Sequence, residues 1–481
     1  MSISITDHGA KSAVEELNKL TALDLVRMIH DRDVSPVEIV DAHLDAIDRL
    51  NGRLNAIVTV AADQARAAAK AAEDAVMEGR ALGSLHGLPV VIKDVTQTAK
   101  IRTTFGSPLY RNFIPEEDAE VVARLRRAGA IILGKTNTPE FACGANTVND
   151  VFGPTRNPWD PDLSPAGSSG GSAVAVATGM AGLAQGTDFG CSIRIPAAFC
   201  GVVGLRTTGG LVPNRGMRLP WDPGQVHGPL ARTAEDAALM LDAITGFDPL
   251  WPISVPPIWT SAVAEVQSIE DLEGVRVGYV ADLAEIGVEE EVDRVCRAAA
   301  RSLQLAGAAV DEIEFDVSEG REAYQALRGE WMVGQQLERI EMLDHFGANL
   351  RGNVRDGLKL AVRDTAKAQH IREAVLEKFR ALFKKYAFLL TPAAPVLPFP
   401  VNINFPDMIA GKRLTSYVDW IAPAYLITLV GFPAGSVPAG KASNGLPVGL
   451  QIVAPRLSEP RILGLAKLIQ RANPIGWPPF S

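Results

Sequence analysis

The sequence is poor in the residues that build disulfide scaffolds and metal sites. It has four cysteines in 481 residues (Cys143, Cys191, Cys200 and Cys296), and no two of them form a CxxC pair. So few dispersed cysteines exclude a disulfide-rich scaffold and indicate reduced thiols, which are typical of a cytoplasmic protein. The seven histidines form no HxH or HxxxH pair, so no metal site is predicted.

A surplus of basic charge and a long apolar run are also missing. The chain has 47 basic and 56 acidic residues and a net charge of −9, whereas a nucleic-acid-binding surface is basic. The longest apolar stretch, residues 173–184, is shorter than the ~20 residues that a membrane-spanning helix needs. The first eight residues lack the cationic start and apolar core of a secretory signal. We therefore expect a soluble cytoplasmic protein that binds neither nucleic acid nor a membrane.

Helix signals open the chain. Ser35 and Glu38 fit a capping box, with a proline between them at the first helical position. The amphipathic stripe that follows predicts a helix ending near residue 52. An alanine-rich helix is expected next, over about residues 61–77.

Short apolar runs at residues 89–92 and 130–133 predict buried strands, with a helix at 119–128 between them. This alternation indicates an α/β core with a substantially parallel sheet. Residues 265–385 are more charged and helical, and predict a lid or peripheral region. The length alone would allow two to four domains.

Three segments carry residues suited to acyl transfer: two contain a serine close to glycines, and the third is an apolar stretch that ends in a lysine. Ser192 lies in the run 186–196, Ser168 in the glycine- and serine-rich run 165–172, and Lys93 ends an apolar stretch. A serine hydroxyl needs a base to become a nucleophile, and a lysine acts as one only when burial lowers its pKa. The backbone N–H groups of residues 189–192 are expected to point at one spot beside the Ser192 hydroxyl.

This set resembles the amidase signature family of serine hydrolases, whose catalytic triad is serine, cis-serine and lysine. The resemblance continues through segments 133–141, 157–160, 199–205 and 445–451, in the family's order along the chain. It implies a Ser192 nucleophile, a Ser168 relay with a cis peptide bond and a Lys93 base. It also implies one large α/β domain over residues 1–481, a mixed twisted sheet surrounded by helices, and no cofactor.

The resemblance further implies hydrolysis of a carboxylic amide through a Ser192 acyl-enzyme, as in an aryl acylamidase, with carbamates and esters chemically accessible. The substrate is expected to be a small molecule. The sequence does not determine the oligomeric state, and a homodimer is one of the possibilities. The backbone N–H groups of Phe189, Gly190, Cys191 and Ser192 are the predicted oxyanion hole. The candidate pocket residues are Cys143, Gly144, Cys191, Trp221 and Trp420. Relatives commonly have glycine where this chain has Cys191. The Cys191 side chain either narrows or lines the acyl pocket, or it is buried and faces away from the pocket.

Competing interpretations remain to be tested. Residues 129–136 match the P-loop pattern, but their central residues are predicted to be a strand rather than a phosphate-binding loop. Residues 167–171 match the nucleophile elbow of α/β-hydrolases, with His227, His345 or His370 as the base, yet a proline-rich segment precedes them. Two further alternatives are the glutamine-hydrolysing component of a tRNA-dependent amidotransferase and a non-catalytic binding protein on the same fold.

Overall fold

The computed structural model describes residues 17–481. The first eight residues, in which no secretory signal is predicted, lie outside this range. Within it, no helix is both long enough and apolar enough to cross a membrane.

Fifteen strands occur in the described part of the chain, and eleven of them form one sheet. The strands are β1 (Ile57–Val60), β2 (Pro89–Lys93), β3 (Ile131–Thr136), β4 (Val148–Asn149), β5 (Gly153–Pro154), β6 (Leu183–Asp188), β7 (Val203–Arg206), β8 (Val226–Ala231), β9 (Arg276–Tyr279), β10 (Ala309–Glu312), β11 (Phe388–Pro392), β12 (Met408–Ile409), β13 (Lys412–Arg413), β14 (Ala434–Lys441) and β15 (Pro447–Val453). The large sheet has the order β1-β3-β2-β6-β8-β7-β14-β15-β11-β9-β10.

Helices pack around this sheet, which confirms the predicted α/β fold with a mixed sheet. The α-helices are α1 (Ala22–Asp31), α2 (Pro36–Leu54), α3 (Ala62–Met77), α4 (Glu120–Arg127), α5 (Gly170–Ala177), α6 (Arg194–Cys200), α7 (Ala234–Ile244), α8 (Ala262–Ser268), α9 (Glu290–Ser302), α10 (Gly320–Gln336), α11 (Ala348–Gly357), α12 (Val362–Phe383), α13 (Ala422–Val430) and α14 (Glu459–Ala472). Short 3-10 helices lie at Leu17–Lys19, Pro108–Tyr110, Glu140–Ala142, Leu303–Ala306, Leu337–His345 and Asp419–Ile421.

The capping box predicted for α2 is present. The Ser35 hydroxyl accepts a hydrogen bond from the Val37 N–H at 3.0 Å, and the Glu38 carboxylate accepts one from the Ser35 N–H at 2.8 Å. The helix runs two residues past its predicted end because Asn55 supplies a left-handed cap at φ 50°.

The sheet is less parallel than the sequence suggested. Strands β3, β2 and β6 are parallel neighbours, as are β11, β9 and β10, but the pairings between these two groups are antiparallel. The expectation of a substantially parallel sheet rested on strands β2 and β3, and it was right for these strands but not for the sheet as a whole.

Residues 265–385 are not wholly peripheral. This region contributes β9 and β10, which complete one edge of the large sheet. The remainder is mostly helical, and α10 packs against α11, α12 and α13. The charged, helical pattern of this region predicted the helices. It did not predict the two short strands β9 and β10, whose pairing partners are not adjacent in sequence.

Side-chain alternation in β2 determines where Lys93 points. Val90 and Ile92 pack into one hydrophobic core, whereas Val91 packs into another core together with helix α5. Because successive side chains of a strand point to opposite faces, Lys93 shares the face of Val91. The lysine is thereby directed towards the start of α5, where the glycine- and serine-rich run lies.

Candidate active site

Parallel pairing brings the candidate residues together. Strands β2 and β6 are parallel neighbours, so their carboxyl ends lie side by side. Lys93 is the last residue of β2, and the segment that carries Ser192 leaves the end of β6. Ser168 lies just before α5, on the sheet face towards which Lys93 points. This edge of a parallel sheet is where α/β proteins commonly place their sites.

The Lys93 ammonium group is completely buried among hydroxyl groups. Its Nζ lies 2.6 Å from Ser168 Oγ, 2.9 Å from Ser169 Oγ and 2.9 Å from Thr187 Oγ1. Three acceptors satisfy the three N–H bonds of a protonated lysine. When the lysine is neutral, its lone pair accepts a hydrogen bond from one of these hydroxyls, so both protonation states are accommodated.

Burial lowers the pKa of Lys93 from 10.5 to about 7, because an ammonium ion loses its hydration inside the protein. The negative charge of Asp188 opposes this shift. No carboxylate lies within salt-bridge distance of Lys93 among the described residues. The lysine can therefore exchange a proton near neutral pH.

The serine-rich run is joined directly to the Ser192 segment. The Ser169 N–H donates a hydrogen bond to the Ser192 carbonyl at 3.0 Å. The peptide bond between Gly167 and Ser168 is cis, as the family resemblance implied. Ser168 and Ser192 line the same cavity. In the described structure the Ser192 hydroxyl makes no hydrogen bond.

A buried ion pair holds the Ser192 loop. Asp188 accepts from the Arg194 guanidinium at 2.8 Å, and both side chains are fully buried. Burial alone would raise the pKa of Asp188, but Arg194 and Arg206 outweigh it and hold that pKa at about 2. Arg194 also donates to the Gly190 carbonyl at 2.9 Å, so the guanidinium fixes the backbone immediately before Ser192.

The cavity beside Ser192 is small, about 40 Å³, and is lined by the predicted oxyanion segment. The backbone N–H groups of Gly190, Cys191 and Ser192 form no hydrogen bond with another described residue. They are donors without an internal acceptor at the wall of a cavity. Such donors can stabilise negative charge on a bound ligand.

The predicted pocket residues fall into two groups. Gly144 and Cys191 line the cavity, and Cys143 lies behind its wall with its thiol 3.3 Å from the Tyr417 hydroxyl. Trp221 is 73% exposed, and Trp420 is buried against two phenylalanines, Phe199 and Phe399. Neither tryptophan lines the cavity.

The aromatic lining instead comes from residues that the sequence did not single out: Phe141, Phe189, Tyr324, Trp331 and Tyr417. Two of these side chains are stacked, with the Phe189 and Trp331 ring centroids 4.2 Å apart. Phe189 belongs to the predicted oxyanion segment, where only its backbone was assigned a role, and the others come from distant elements. Ser169 and Thr187, which hold Lys93, could have been found because they lie within the two serine-containing runs.

A second, larger space adjoins the site. This aromatic chamber, about 230 Å³, shares Phe141, Gln225, Trp331 and Met332 with the Ser192 cavity. Phe105 stacks on Phe141 at a centroid distance of 5.6 Å. The chamber is also lined by Tyr110, Phe113, Arg218 and Arg339. It provides room for a flat apolar group beside Ser192.

The competing motifs have other structures. Residues 131–136 of the P-loop match are strand β3, and the Lys135 side chain is buried against threonines. No strand directly precedes Ser168, as a nucleophile elbow requires. His227 is buried and hydrogen-bonds Gln185 at 2.8 Å, and its pKa is lowered to about 3 by burial and then by Lys93. His345 and His370 are exposed.

Comparisons with known proteins agree with this geometry. A family model described as Amidase matches residues 38–463. The A-type subunit of glutamyl-tRNA(Gln) amidotransferase from Acidothermus cellulolyticus is 36% identical over 488 residues, covering 95% of each chain.

Solved structures are similar over nearly the whole chain. A bacterial aryl acylamidase of the amidase signature family has a TM-score of 0.87 and 27% identity, covering 95% of this chain and 96% of its own. The A-type subunit of glutamyl-tRNA(Gln) amidotransferase from Thermotoga maritima has a TM-score of 0.75 and 28% identity, with the same coverage.

Proposed function

Because this chain belongs to the amidase signature family, we propose that it hydrolyses a carboxylic amide through an acyl-enzyme on Ser192. The observation that carries the proposal is the buried Lys93 amine, which lies 2.6 Å from Oγ of Ser168, a residue that lines the same cavity as Ser192. A buried ammonium group without a paired carboxylate destabilises the folded protein. A lysine kept there with a pKa of about 7 has the properties of a general base.

Acylation starts with attack of Ser192 Oγ on the amide carbon. The Ser192 proton passes to Ser168, and the Ser168 proton passes to neutral Lys93. The carbonyl oxygen becomes an oxyanion, which the backbone N–H groups of residues 189–192 stabilise, each donor contributing roughly 10²–10³ in rate. The proton then returns through Ser168 to the amine nitrogen as the C–N bond breaks.

Deacylation reverses this path with water as the nucleophile. Water attacks the acyl-enzyme carbonyl while its proton moves through Ser168 to Lys93. The proton then returns to Ser192 Oγ as the acyl group leaves as a carboxylic acid. Carbamates and esters present the same carbonyl to the same groups, so they are further candidate substrates.

The aromatic chamber supports an aryl amide as the substrate. Its walls carry four phenylalanine and tyrosine rings and Trp331, directly beside the Ser192 cavity. An aromatic ring bound between such walls is stabilised by burial and by stacking. We therefore place the aryl group of an anilide in this chamber.

Hydrolysis of 4-nitroacetanilide, followed by release of 4-nitroaniline, tests the proposal. Wild type should turn it over, and Ser192→Ala should lose at least about 10³-fold in kcat/KM. A fluorophosphonate should modify Ser192 of the wild type. An adduct mapped to Ser168 or Ser169, or full activity of Ser192→Ala, would contradict the assignment.

Glutamine hydrolysis is a second candidate, because curated relatives at 36% identity carry the name of a glutamyl-tRNA(Gln) amidotransferase component. Ammonia release from glutamine, measured beside the anilide, separates the two activities. Ammonia release without anilide turnover would favour the second candidate.

A further inference from the structure

A buried arginine forms part of the cavity wall beside Ser192. Arg328, on helix α10, lines that cavity and is only 7% exposed. Its guanidinium donates to the Tyr417 hydroxyl at 2.6 Å and to the side-chain oxygen of Asn353. A weaker contact, 4.0 Å long, reaches the Cys143 sulfur.

All of these partners are neutral. No carboxylate lies within 4.0 Å of Arg328 in the described part of the chain, whereas the other arginines buried near the site, Arg194 and Arg206, both approach Asp188. An arginine stays protonated inside a protein, so it cannot relieve its burial by losing a proton, as Lys93 can. Among the described residues, the guanidinium is thus a buried positive charge with no carboxylate within 4.0 Å.

The cavity wall itself offers no compensating charge. None of the described residues that line it is aspartate or glutamate. The hydrogen bonds to Tyr417 and Asn353 orient the guanidinium but leave part of its five-donor capacity unused by these residues. A planar carboxylate matches that remaining capacity, and pairing in a desolvated site gives strong charge-assisted hydrogen bonds.

We propose that Arg328 binds a carboxylate carried by the substrate, and that the physiological amide is therefore an acid. Because no acidic residue of the described chain lines the cavity, the favoured acid lacks a free ammonium group near its carboxylate. This describes an N-acyl amino acid, an acylaminobenzoate or the half-amide of a dicarboxylic acid, rather than free glutamine. The inference rests on the proposed amide hydrolysis at Ser192.

Matched substrate pairs test the inference on both sides of the scissile bond. On the acyl side, glutaric acid mono-4-nitroanilide is compared with its methyl ester. On the amine side, 4-acetamidobenzoate is compared with its methyl ester. Wild type should favour the acid of at least one pair by about tenfold to a hundredfold in kcat/KM. In Arg328→Gln that preference should vanish, because kcat/KM should fall more for the acid than for its ester.

Two variants serve as controls for charge and folding. Arg321 lies on the same helix, faces Asp419 at 3.8 Å and does not line the cavity. Arg321→Gln should keep the acid preference. Arg328→Lys keeps the charge but loses the planar fork, so it should keep part of the preference and protects the test if Arg328→Gln folds poorly.

Binding to Ser192→Ala protein, measured by calorimetry, reads the same preference without turnover. The inference is supported if Ser192→Ala protein binds an acid more tightly than its ester and the Ser192→Ala/Arg328→Gln protein does not. Equal binding of acid and ester in both pairs would overturn it. Wild-type turnover of neutral anilides with no acid preference would also overturn it while leaving the proposed function standing. If calorimetry shows tighter binding of the acid but the wild type hydrolyses no amide, the proposed function is overturned instead.

Discussion

Asp188 and Arg194 form a fully buried ion pair, with an oxygen-to-nitrogen distance of 2.8 Å, directly beneath the Ser192 loop. Asp188 ends strand β6, and Arg194 begins helix α6, so the pair closes the short loop between them. The other Asp188 oxygen accepts the Ile193 N–H at 3.0 Å. These bonds fix the backbone whose N–H groups line the cavity.

Removing the Asp188 charge should strongly destabilise the protein. In Asp188→Asn, two buried arginines, Arg194 and Arg206, lose their counter-ion, and breaking such a buried pair costs about 3–5 kcal/mol. Urea unfolding measures the loss. Asp356→Asn, at an exposed pair with Lys359, is the control and should change stability little. Similar unfolding midpoints for Asp188→Asn and wild type would contradict this role.

The pH dependence of hydrolysis should report the protonation of Lys93. Its folded pKa is lowered to about 7 by burial, and the proposed mechanism needs the neutral amine. Activity should therefore fall as pH drops through 7, by about tenfold per pH unit below it. The measurement is kcat/KM from pH 5 to 9 with a substrate that does not titrate. A flat profile between pH 5 and 7 would exclude Lys93 as the base.

The same shift predicts a pH-dependent gain in stability for Lys93→Met. Between pH 7 and 10.5 the unfolded chain binds the Lys93 proton and the folded protein does not. Burial of Lys93 therefore lowers the free energy of unfolding of the wild type by its full amount below pH 7. This destabilisation decreases by about 1.4 kcal/mol per pH unit as the pH rises towards 10.5. The gain from Lys93→Met should be larger at pH 7 than at pH 9 in urea unfolding. An equal gain at the two pH values would contradict a lowered pKa of Lys93 in the folded protein.

The Cys191 thiol should be unreactive although it lines the cavity. Burial, and then the charge of Asp188, raise its pKa well above the ordinary value, and only 1% of the residue is exposed. Because the thiolate is the reactive form, iodoacetamide at pH 8 should label folded protein at least a hundredfold more slowly than unfolded protein. Peptide mapping of Cys191 over time measures both rates. Rapid labelling accompanied by inactivation would show an accessible thiolate.

Local signals predicted the elements that hold the candidate triad. The apolar run before Lys93 specified a buried strand, and alternation along that strand directs the lysine to the serine-rich run. The pocket walls were less predictable, since helix α10 brings Trp331 to the cavity that Ser192 lines, although the two residues are more than 130 positions apart in sequence. The sequence predicted Trp221 as a pocket residue because its neighbours in sequence do not reveal that it is 73% exposed.

These two tryptophans give a matched test of the aromatic chamber. Trp331 lines both the chamber and the Ser192 cavity and stacks on Phe189, whereas Trp221 lines neither. Trp331→Ala removes stacking area from a bound aryl group, so kcat/KM for an anilide should fall at least about tenfold. Acetamide has no ring to place in the chamber, so its hydrolysis should fall much less.

Trp221→Ala should leave both substrates nearly unchanged, because the removed ring faces solvent. The ratio of anilide to acetamide turnover is the quantity to compare across wild type and the two variants. Taking that ratio cancels any general loss from altered folding, which affects both substrates equally. An unchanged ratio in Trp331→Ala would place the aryl group elsewhere, and a changed ratio in Trp221→Ala would show that the exposed tryptophan moves towards the site when substrate binds.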